Sequence, residues 1–321
     1  MNRSTILIAV LLTVAPALCP AAQLLVLNKG DATLSFIDPA TGETSAKVAT
    51  GTGPHEIEVS DDGRLAFVSN YGIENDGNTL SVIDVQARKE LRRVDLGELR
   101  RPHGLSFLKD RLYLTAERNQ LIARYDPASQ NIDWKFPTSQ DGTHMVVASR
   151  DGRKLFASNM GSNTVGILDL SADGQARQTL VSVGAGPEGL DESPNGRELW
   201  TAHSRDGRIS IIDIESRKVL KTFDAATKRS NRLKFTPDGK RVLVSDLAAH
   251  ELVVIDALSH STLARLPIGK SPTGILMNPD GKRAYVAITA EKHLAVVDLA
   301  TLASVGKIAT GSSPDGMAWV P

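Results

Sequence analysis

The sequence is poor in cysteine and has no excess of either charge. Its single cysteine is Cys19, and Lys plus Arg and Asp plus Glu number 37 each in 321 residues. Removal of an N-terminal segment that includes Cys19 would leave no thiol, which excludes disulfides and cysteine-ligated metals. A neutral total provides no global field to hold nucleic acid or an anionic membrane surface. We therefore expect neither a disulfide-stapled domain nor a nucleic-acid-binding protein.

Several catalytic motifs are also missing. The sequence contains no Gly-rich phosphate loop before a helix, no serine nucleophile elbow and no His-Glu-x-x-His motif. No long stretch has the 3.6-residue periodicity of a helix, which excludes a helical solenoid. The common hydrolase and nucleotide-dependent classes therefore have no support in the sequence.

The N-terminus has the pattern of a secretion signal. Arg3 precedes an apolar run at residues 6–18, too short for a stable bilayer anchor, and small residues follow at Ala21 and Ala22. We predict a cleaved signal peptide at residues 1–22 and one domain at residues 23–321. The mature protein is then expected to be a periplasmic or secreted monomer without a membrane span. An uncleaved anchor is the alternative.

After this segment, a short run rich in β-branched residues and ending in aspartate recurs along the chain. Its seven copies are spaced by 46, 42, 43, 44, 43 and 42 residues. They end at Asp38, Asp84, Asp126, Asp169, Asp213, Asp256 and Asp298. A period in the forties with strand-type residues is typical of propeller blades. The repeat predicts an all-β fold, a seven-bladed β-propeller with four antiparallel strands per blade, in which these aspartates cap turns rather than bind calcium.

Turn residues and chain ends refine this prediction. Five units carry Asp-Gly or Asn-Gly where a tight hairpin needs positive φ, whereas the unit from Pro102 has Lys109-Asp110 and should turn more tightly or differently. Residues 23–48 supply three strands and residues 314–321 supply one. The two ends are therefore predicted to share one blade and to close the ring.

The second strands of the units carry a recognisable motif. Residues 65–70 (LAFVSN), 155–159 (LFASN) and 283–287 (RAYVA) are each followed by a Val-Ile-Asp-type run. This pattern resembles the YVTN-repeat β-propeller family, including its YncE-like periplasmic members, over essentially the whole mature chain. The resemblance implies the seven-bladed fold but leaves the function open, because members of such families bind, catalyse or assemble.

One aligned position lies near the start of each innermost strand, where side chains should converge at one mouth of the central channel. Its occupants are His55, His103, His144, Glu188, Asn231, Thr273 and Asp315. Three imidazoles and a carboxylate on consecutive blades suit zinc, iron, manganese or copper. We predict a metal site of His55, His103, His144 and Glu188. The alternative is that each histidine is a hydrogen-bonded wedge between blades, which strand alternation favours because His55 is in phase with the packing residues Ile57 and Val59.

A second aligned position, at the end of each second strand, returns to the same mouth. It is occupied by Asn28, Asn70, Glu117, Asn159, His203, Asp246 and Ile288. The asparagines are expected to cap turns. The ligand-contacting residues predicted at this mouth are Asn231, Thr273, Asp315, Glu117, His203 and Asp246.

Three functions remain open at this stage. The first is a binding or interaction propeller of the cell envelope, with a small-molecule ligand or a protein partner. The second is a metal-dependent lactonase or lyase, whose cation polarises a carbonyl or activates water. The third is a purely structural scaffold.

Overall fold

A computed structural model of the chain describes residues 22–171 and 175–320. Residues 1–21 of the predicted signal peptide, with Cys19, lie outside the described residues. Within the described ranges, no helix is long and apolar enough to cross a membrane.

The described chain folds into seven antiparallel sheets of four strands, as predicted. Blade 1 contains β1 (Gln23–Asn28), β2 (Thr33–Ile37), β3 (Thr44–Ala49) and β28 (Pro314–Val320). Blade 2 contains β4 (Pro54–Val59), β5 (Leu65–Asn70), β6 (Thr79–Asp84) and β7 (Lys89–Asp95). Blade 3 contains β8 (Pro102–Leu108), β9 (Arg111–Ala116), β10 (Leu121–Asp126) and β11 (Asn131–Pro137), with a 3₁₀ turn at Glu117–Asn119. Blade 4 contains β12 (Thr143–Ala148), β13 (Lys154–Asn159), β14 (Thr164–Leu170) and β15 (Ala176–Ser182).

The remaining blades repeat this order. Blade 5 contains β16 (Pro187–Glu192), β17 (Glu198–His203), β18 (Arg208–Asp213) and β19 (Lys218–Asp224). Blade 6 contains β20 (Ser230–Phe235), β21 (Arg241–Asp246), β22 (Glu251–Asp256) and β23 (Thr262–Pro267). Blade 7 contains β24 (Pro272–Met277), β25 (Arg283–Ile288), β26 (His293–Asp298) and β27 (Ala303–Ala309). The innermost strands are β28, β4, β8, β12, β16, β20 and β24, and each contacts the innermost strand of the next blade.

The two chain ends close the ring, which confirms the predicted shared blade. β28 pairs antiparallel with β1, and Leu24 lies opposite Trp319 in this register. Leu25 is fully buried and Ala318 is nearly so, because both face the apolar layer between blades 1 and 2. Similar layers of buried aliphatic and aromatic side chains lie between the other blades and hold them together.

The hairpins at the inner ends of the blades also match the predicted turns. The five glycines have φ between 66° and 71°, the left-handed region that only glycine adopts without cost. They are Gly63, Gly152, Gly196, Gly239 and Gly281. In the exceptional unit, Lys109 and Asp110 both have positive φ, and Leu108 pairs directly with Arg111. This two-residue turn is tighter than the others, as predicted.

The repeated aspartates cap turns in the way the repeat predicted. Asp38, for example, accepts the backbone N–H of Ala40 at 2.7 Å, and Asp298 accepts that of Thr301 at 2.8 Å. Asp169 differs, because its carboxylate pairs with Lys154 and Arg217. These aspartates therefore stabilise local structure within each blade. A functional site is expected in the channel instead.

Candidate metal centre

A β-bulge at the start of each innermost strand decides where the aligned side chains point. Pro54 pairs with Asn70 and Ile57 with Val68, so three residues of β4 span the same length as two residues of β5. The same shift recurs in all seven described blades. Strand alternation therefore does not continue from Ile57 back to His55. The alternation argument for a histidine wedge between blades fails for this reason.

The three histidines of the first aligned position lie against one another. The ring centroids of His55 and His103 are 4.1 Å apart, and those of His103 and His144 are 3.7 Å apart. His103 is fully buried in the middle of this stack and His144 is almost buried. We call this end of the channel the histidine mouth, defined by His55, His103 and His144.

Several ring nitrogens at the histidine mouth have no hydrogen-bond partner. Both nitrogens of His103 and Nε2 of His144 are buried and unpaired within the described part of the chain. A buried polar atom without a partner costs free energy that structural residues normally avoid. These atoms therefore indicate a ligand site.

A carboxylate from a neighbouring blade orients one of the two outer histidines. Glu117 accepts a hydrogen bond from Nδ1 of His144 and another from the Tyr71 hydroxyl at 2.6 Å. Metal-ligating histidines are typically held in this way through the nitrogen that faces away from the ion. On the other side, Asp315 Oδ2 lies 3.3 Å from Nδ1 of His55 but makes no hydrogen bond with it.

The environment keeps the imidazoles of His55 and His103 neutral. Burial lowers the pKa of His55 to about 3, with the Asp315 carboxylate opposing this effect and the Lys29 cation adding to it. Burial, followed by the imidazoles of His144 and His55, holds the pKa of His103 well below its ordinary value. Neutral imidazole is the form that binds metal.

The pKa values of Glu117 and Tyr71, which lie beside His144, shift in opposite directions. Burial by itself would raise the pKa of Glu117, but hydrogen bonds from His144 and Tyr71 outweigh it and lower the pKa. Burial and the adjacent Glu117 carboxylate raise the pKa of Tyr71 to about 12. Glu117 is therefore an anion and Tyr71 a hydrogen-bond donor at neutral pH.

Two groups of residues have ligand atoms close enough to hold a metal ion. In each group, the ligand atoms lie within 4.8 Å of one another. One group is His55, Glu56 and His103, and the other is His103, Glu117 and His144. Both contain two imidazoles and a carboxylate, a donor set that suits zinc and its neighbours in the first transition row.

Glu188, the predicted fourth ligand, is not brought to the histidines. Its Oε1 accepts a hydrogen bond from Nδ2 of Asn231 and lies 3.9 Å from Nη1 of Arg232. Glu188 lies on blade 5 and its hydrogen-bond partner is on blade 6, so it belongs to neither candidate group of metal ligands. The carboxylates near the histidines are instead Glu56, Glu117 and Asp315.

The other predicted ligand-contacting residues are divided between the mouth and the loops. Asp315 and Glu117 join the histidines, and Asn231 lies beside Glu188. Thr273 contacts Thr289, with the two hydroxyl oxygens 2.7 Å apart. Asp246 accepts backbone N–H groups from Lys228 and Arg229 at 2.6 and 2.9 Å, so it anchors its own loops.

The asparagines of the second aligned position are structural caps, as expected. Asn28, for example, donates to Thr33 and Ser35, and its Oδ1 accepts the N–H of Gly311 at 2.7 Å. These bonds tie the second strand to the third strand and to a neighbouring loop.

His203, another predicted mouth residue, lies apart from the histidine mouth. It is fully buried, and its Nδ1 is 3.1 Å from Asp206. Burial lowers the pKa of His203, against the opposing effect of Asp206. Stability from a neutral buried histidine is present above the unfolded pKa of about 6.5 and is lost as pH falls.

We therefore expect His203→Gln to flatten the pH dependence of stability. Thermal melts of metal-free protein between pH 7.5 and 5.5 should show a smaller loss of melting temperature in His203→Gln than in the parent protein. His250→Gln, which changes an exposed histidine, is the control. Parallel curves for His203→Gln and the parent would contradict the expectation.

An ion pair that sequence reasoning missed crosses the channel. Arg232 on β20 of blade 6 donates from Nη2 to Glu56 on β4 of blade 2. Burial disfavours the guanidinium charge, but the carboxylates of Glu56, Asp315 and Glu188 outweigh burial and raise the pKa of Arg232. We call this contact the cross-channel pair, defined by Arg232 and Glu56.

A pattern in the repeat could have revealed the cross-channel pair. Arg232 and Glu56 both follow the first aligned position directly, where four other repeats have glycine. These glycines are Gly104, Gly189, Gly274 and Gly316. A Cβ at Gly104 would lie 2.6 Å from the backbone N of Val146, so the bulge requires glycine there. The long charged side chains of Arg232 and Glu56 are therefore exceptions to the glycine found at this position of the repeat.

Beyond the cross-channel pair, the channel opens into a cavity of about 320 Å³. We call it the lower chamber, lined by Glu58, Met145, Lys234, Met317 and Trp319 among others. Burial raises the pKa of Glu58 to about 8, with Lys234 lowering it and Glu56 raising it. Glu56 and Arg232 also line this chamber, so the cross-channel pair forms part of its wall.

The fold and the mouth together define a seven-bladed propeller with a histidine and carboxylate cluster at one end of a partly closed channel. Residues 110–278, slightly more than half of the chain, match the family described as YNCE-like beta-propeller. The chain belongs to this YncE-like β-propeller family.

Two curated relatives have the same description, "Uncharacterized protein YncE", one from Salmonella typhi and one from Salmonella typhimurium. The S. typhi protein is 23% identical over 244 residues, a match that covers 68% of this chain and 64% of that protein. The match therefore spans less than two thirds of the length of the curated relatives.

Solved structures confirm the fold. A putative 6-phosphogluconolactonase from Bacteroides uniformis has a TM-score of 0.79 at 16% identity, covering 93% of this chain and 99% of that chain. The periplasmic gluconolactonase PpgL from Pseudomonas aeruginosa has a TM-score of 0.77 at 21% identity, covering 94% and 99%. At these identities the similarity concerns the fold alone.

Proposed function

We propose that this protein is an exported metal-binding propeller of the cell envelope, with one divalent transition metal held by His55, His103 and His144. The observation that carries this proposal is the set of buried, unpartnered ring nitrogens on His103 and His144. The ion would be zinc, iron, manganese or copper, all of which accept imidazole ligands.

The surrounding residues have distinct roles in this proposal. Glu117 holds Nδ1 of His144 and leaves Nε2 for the ion, and Tyr71 fixes the second oxygen of Glu117. Asp315 has the corresponding position beside His55. Such outer carboxylates raise the basicity of a ligand and fix its orientation.

Elemental analysis of purified mature protein, before and after treatment with a chelator, tests the proposal. One equivalent of metal per chain, lost with the chelator and restored on addition of the ion, is expected. Absence of bound metal, together with no thermal shift on addition of zinc, manganese, iron or copper, would favour the structural-scaffold alternative.

The Lys29 ammonium group would compete with a metal ion for the position beside His55. Its Nζ lies 3.0 Å from Nε2 of His55 and 3.4 Å from Asp315 Oδ2, where it presents a cation to the atom that would bind the metal. The Lys29 side chain is 29% exposed, so it can move toward solvent when an ion binds. Metal binding must then include the displacement of this ammonium group.

We expect Lys29→Met to raise metal affinity by about tenfold, equivalent to about 1.4 kcal/mol. Competition titration against a fluorescent chelator measures the change. Lys47→Met, on the exposed outer strand of the same blade, is the matched control and should leave affinity unchanged. An affinity of Lys29→Met equal to or below that of the parent would show that Lys29 does not compete.

Export is part of the proposal, supported by the sequence of residues 1–22 and by the periplasmic description of one structural neighbour. Protein made in a cell with a secretion pathway should begin near Ala22 or Gln23. Intact-mass measurement that finds Met1 to Leu18 still attached to the soluble protein would contradict export. The exported propeller would present its mouth to a small ligand and its rim to an envelope protein.

A metal-dependent lactonase or lyase is the second candidate. The gluconolactonase descriptions of two structural neighbours and the hydrogen-bonded chain Tyr71–Glu117–His144 favour it. A bound cation would supply polarisation of a lactone carbonyl or activation of water. The chain's own contribution would be the Glu117 carboxylate, positioned to accept a proton. Metal-dependent hydrolysis of a sugar lactone that is lost in Glu117→Gln separates this candidate from simple binding.

A further inference from the structure

The lower chamber has the features of a small-molecule site separate from the histidine mouth. Its volume of about 320 Å³ falls at the small end of the range for ligand pockets. Met145, Leu276, Met317 and Trp319 line it and remain partly exposed, although they lie on innermost strands. Apolar surface that faces a cavity favours a ligand with an apolar group.

One acidic and one basic side chain lie at the same depth in this chamber. Glu58 on β4 and Lys234 on β20 each follow the first aligned position by three residues. Lys234 Nζ is 3.5 Å from Asp191 Oδ1 and forms no ion pair with Glu58. The Glu58 side chain has no hydrogen bond or ion pair with any residue in the described ranges. The Glu58 carboxyl group lines the cavity, and a ligand ammonium group beside it would stabilise its anionic form and lower its pKa from about 8.

We propose that the lower chamber binds a small zwitterion of the amino-acid type. The ligand's ammonium group pairs with Glu58, its carboxylate pairs with Lys234, and its side chain contacts Met145, Met317 and Trp319. The two ends of an amino acid carry charges opposite to those of the facing strands and fit in the gap that the strands leave between them. The test uses metal-free protein, because Glu56 lines this chamber and also belongs to one of the two candidate metal groups.

Isothermal titration calorimetry with three ligands of the same shape tests the proposal on metal-stripped mature protein. L-Leucine carries both charges, L-leucinamide only the ammonium, and 4-methylpentanoate only the carboxylate. Leucine should bind with one site per chain, and each single-charge analogue should bind at least about tenfold more weakly. Removal of metal excludes chelation of the amino acid at the histidine mouth.

Substitutions assign the two charges. Glu58→Gln should weaken leucine binding at least about tenfold and remove the preference for leucine over 4-methylpentanoate. Lys234→Met should remove the preference for leucine over leucinamide. Glu98→Gln and Lys240→Met change side chains that are 76% and 78% exposed, and both should bind leucine as the parent does.

Absence of leucine binding at millimolar concentration, equal affinity for the three ligands, or unchanged leucine affinity in Glu58→Gln would overturn the proposal. If a chamber variant fails to fold, as judged by its thermal melt, the comparison of the three ligands on the parent protein still tests whether the chamber binds a zwitterion. Metal content measured on the same preparations before stripping reports separately on the histidine mouth.

Discussion

Deletion of residues 314–321 should open the ring and lower the melting temperature by about 10 °C or more. β1 would lose every backbone hydrogen bond to β28, and Leu25 would lose the packing of Ala318. The loss of several kcal/mol from a chain of this size corresponds to a shift of that order. Differential scanning calorimetry of the truncated and full-length mature protein measures it.

Two controls show whether closure itself causes the effect. Deletion of residue 321 alone should leave the melting temperature unchanged. A synthetic peptide of residues 314–321, added to the truncated protein, should restore part of the lost stability by pairing with the exposed edge of β1. An unchanged melting curve after the eight-residue deletion would contradict the closure of blade 1 by β28.

His103→Ala should abolish metal binding, with a loss of affinity of about 100-fold or more. His103 belongs to both candidate ligand groups, and both its ring nitrogens are unpartnered in the described structure. Glu117→Gln should lower metal affinity about 10- to 100-fold, as expected for the loss of a carboxylate that orients the ligand His144. The graded order of these two variants distinguishes a coordinated metal from unspecific attraction by a polar mouth.

The measurement is metal content per chain, combined with competition titration at neutral pH. His250→Ala replaces an exposed histidine that belongs to neither candidate metal group and should keep full metal content. If the histidines only support packing, His103→Ala will lower the melting temperature while metal content stays at the parent level. That outcome would end the metal proposal.

Much of the architecture could be predicted from local patterns. The seven Asp-terminated runs marked the blades, and the five glycine turns marked the inner hairpins, because both depend on residues a few positions apart. The tighter turn at Lys109 and Asp110 followed from the missing glycine alone. The shared blade followed from counting strands at the two ends of the chain.

The candidate site was predicted only in outline. Alignment of the repeats located His55, His103 and His144 at one mouth, because repeated units place equivalent residues at equivalent positions around the axis. The same alignment placed Glu188 in the metal set, but in the structure Glu188 accepts a hydrogen bond from Asn231 and joins neither candidate group. The alignment also predicted that Asp246 contacts a ligand at the mouth. In the structure, its carboxylate accepts hydrogen bonds from loop N–H groups.

The sequence by itself determined the number of blades, their turns and the closure of the ring, since these follow from short-range periodicity and turn chemistry. The tertiary structure alone decided which side chains meet. A one-residue bulge, invisible to strand alternation, changes the phase of His55 relative to Ile57. The cross-channel pair joins residues 176 positions apart, and Lys29 reaches Asp315 across 286 positions. The repeat marks Arg232 and Glu56 as unusual, but only closure of the ring brings such distant residues together.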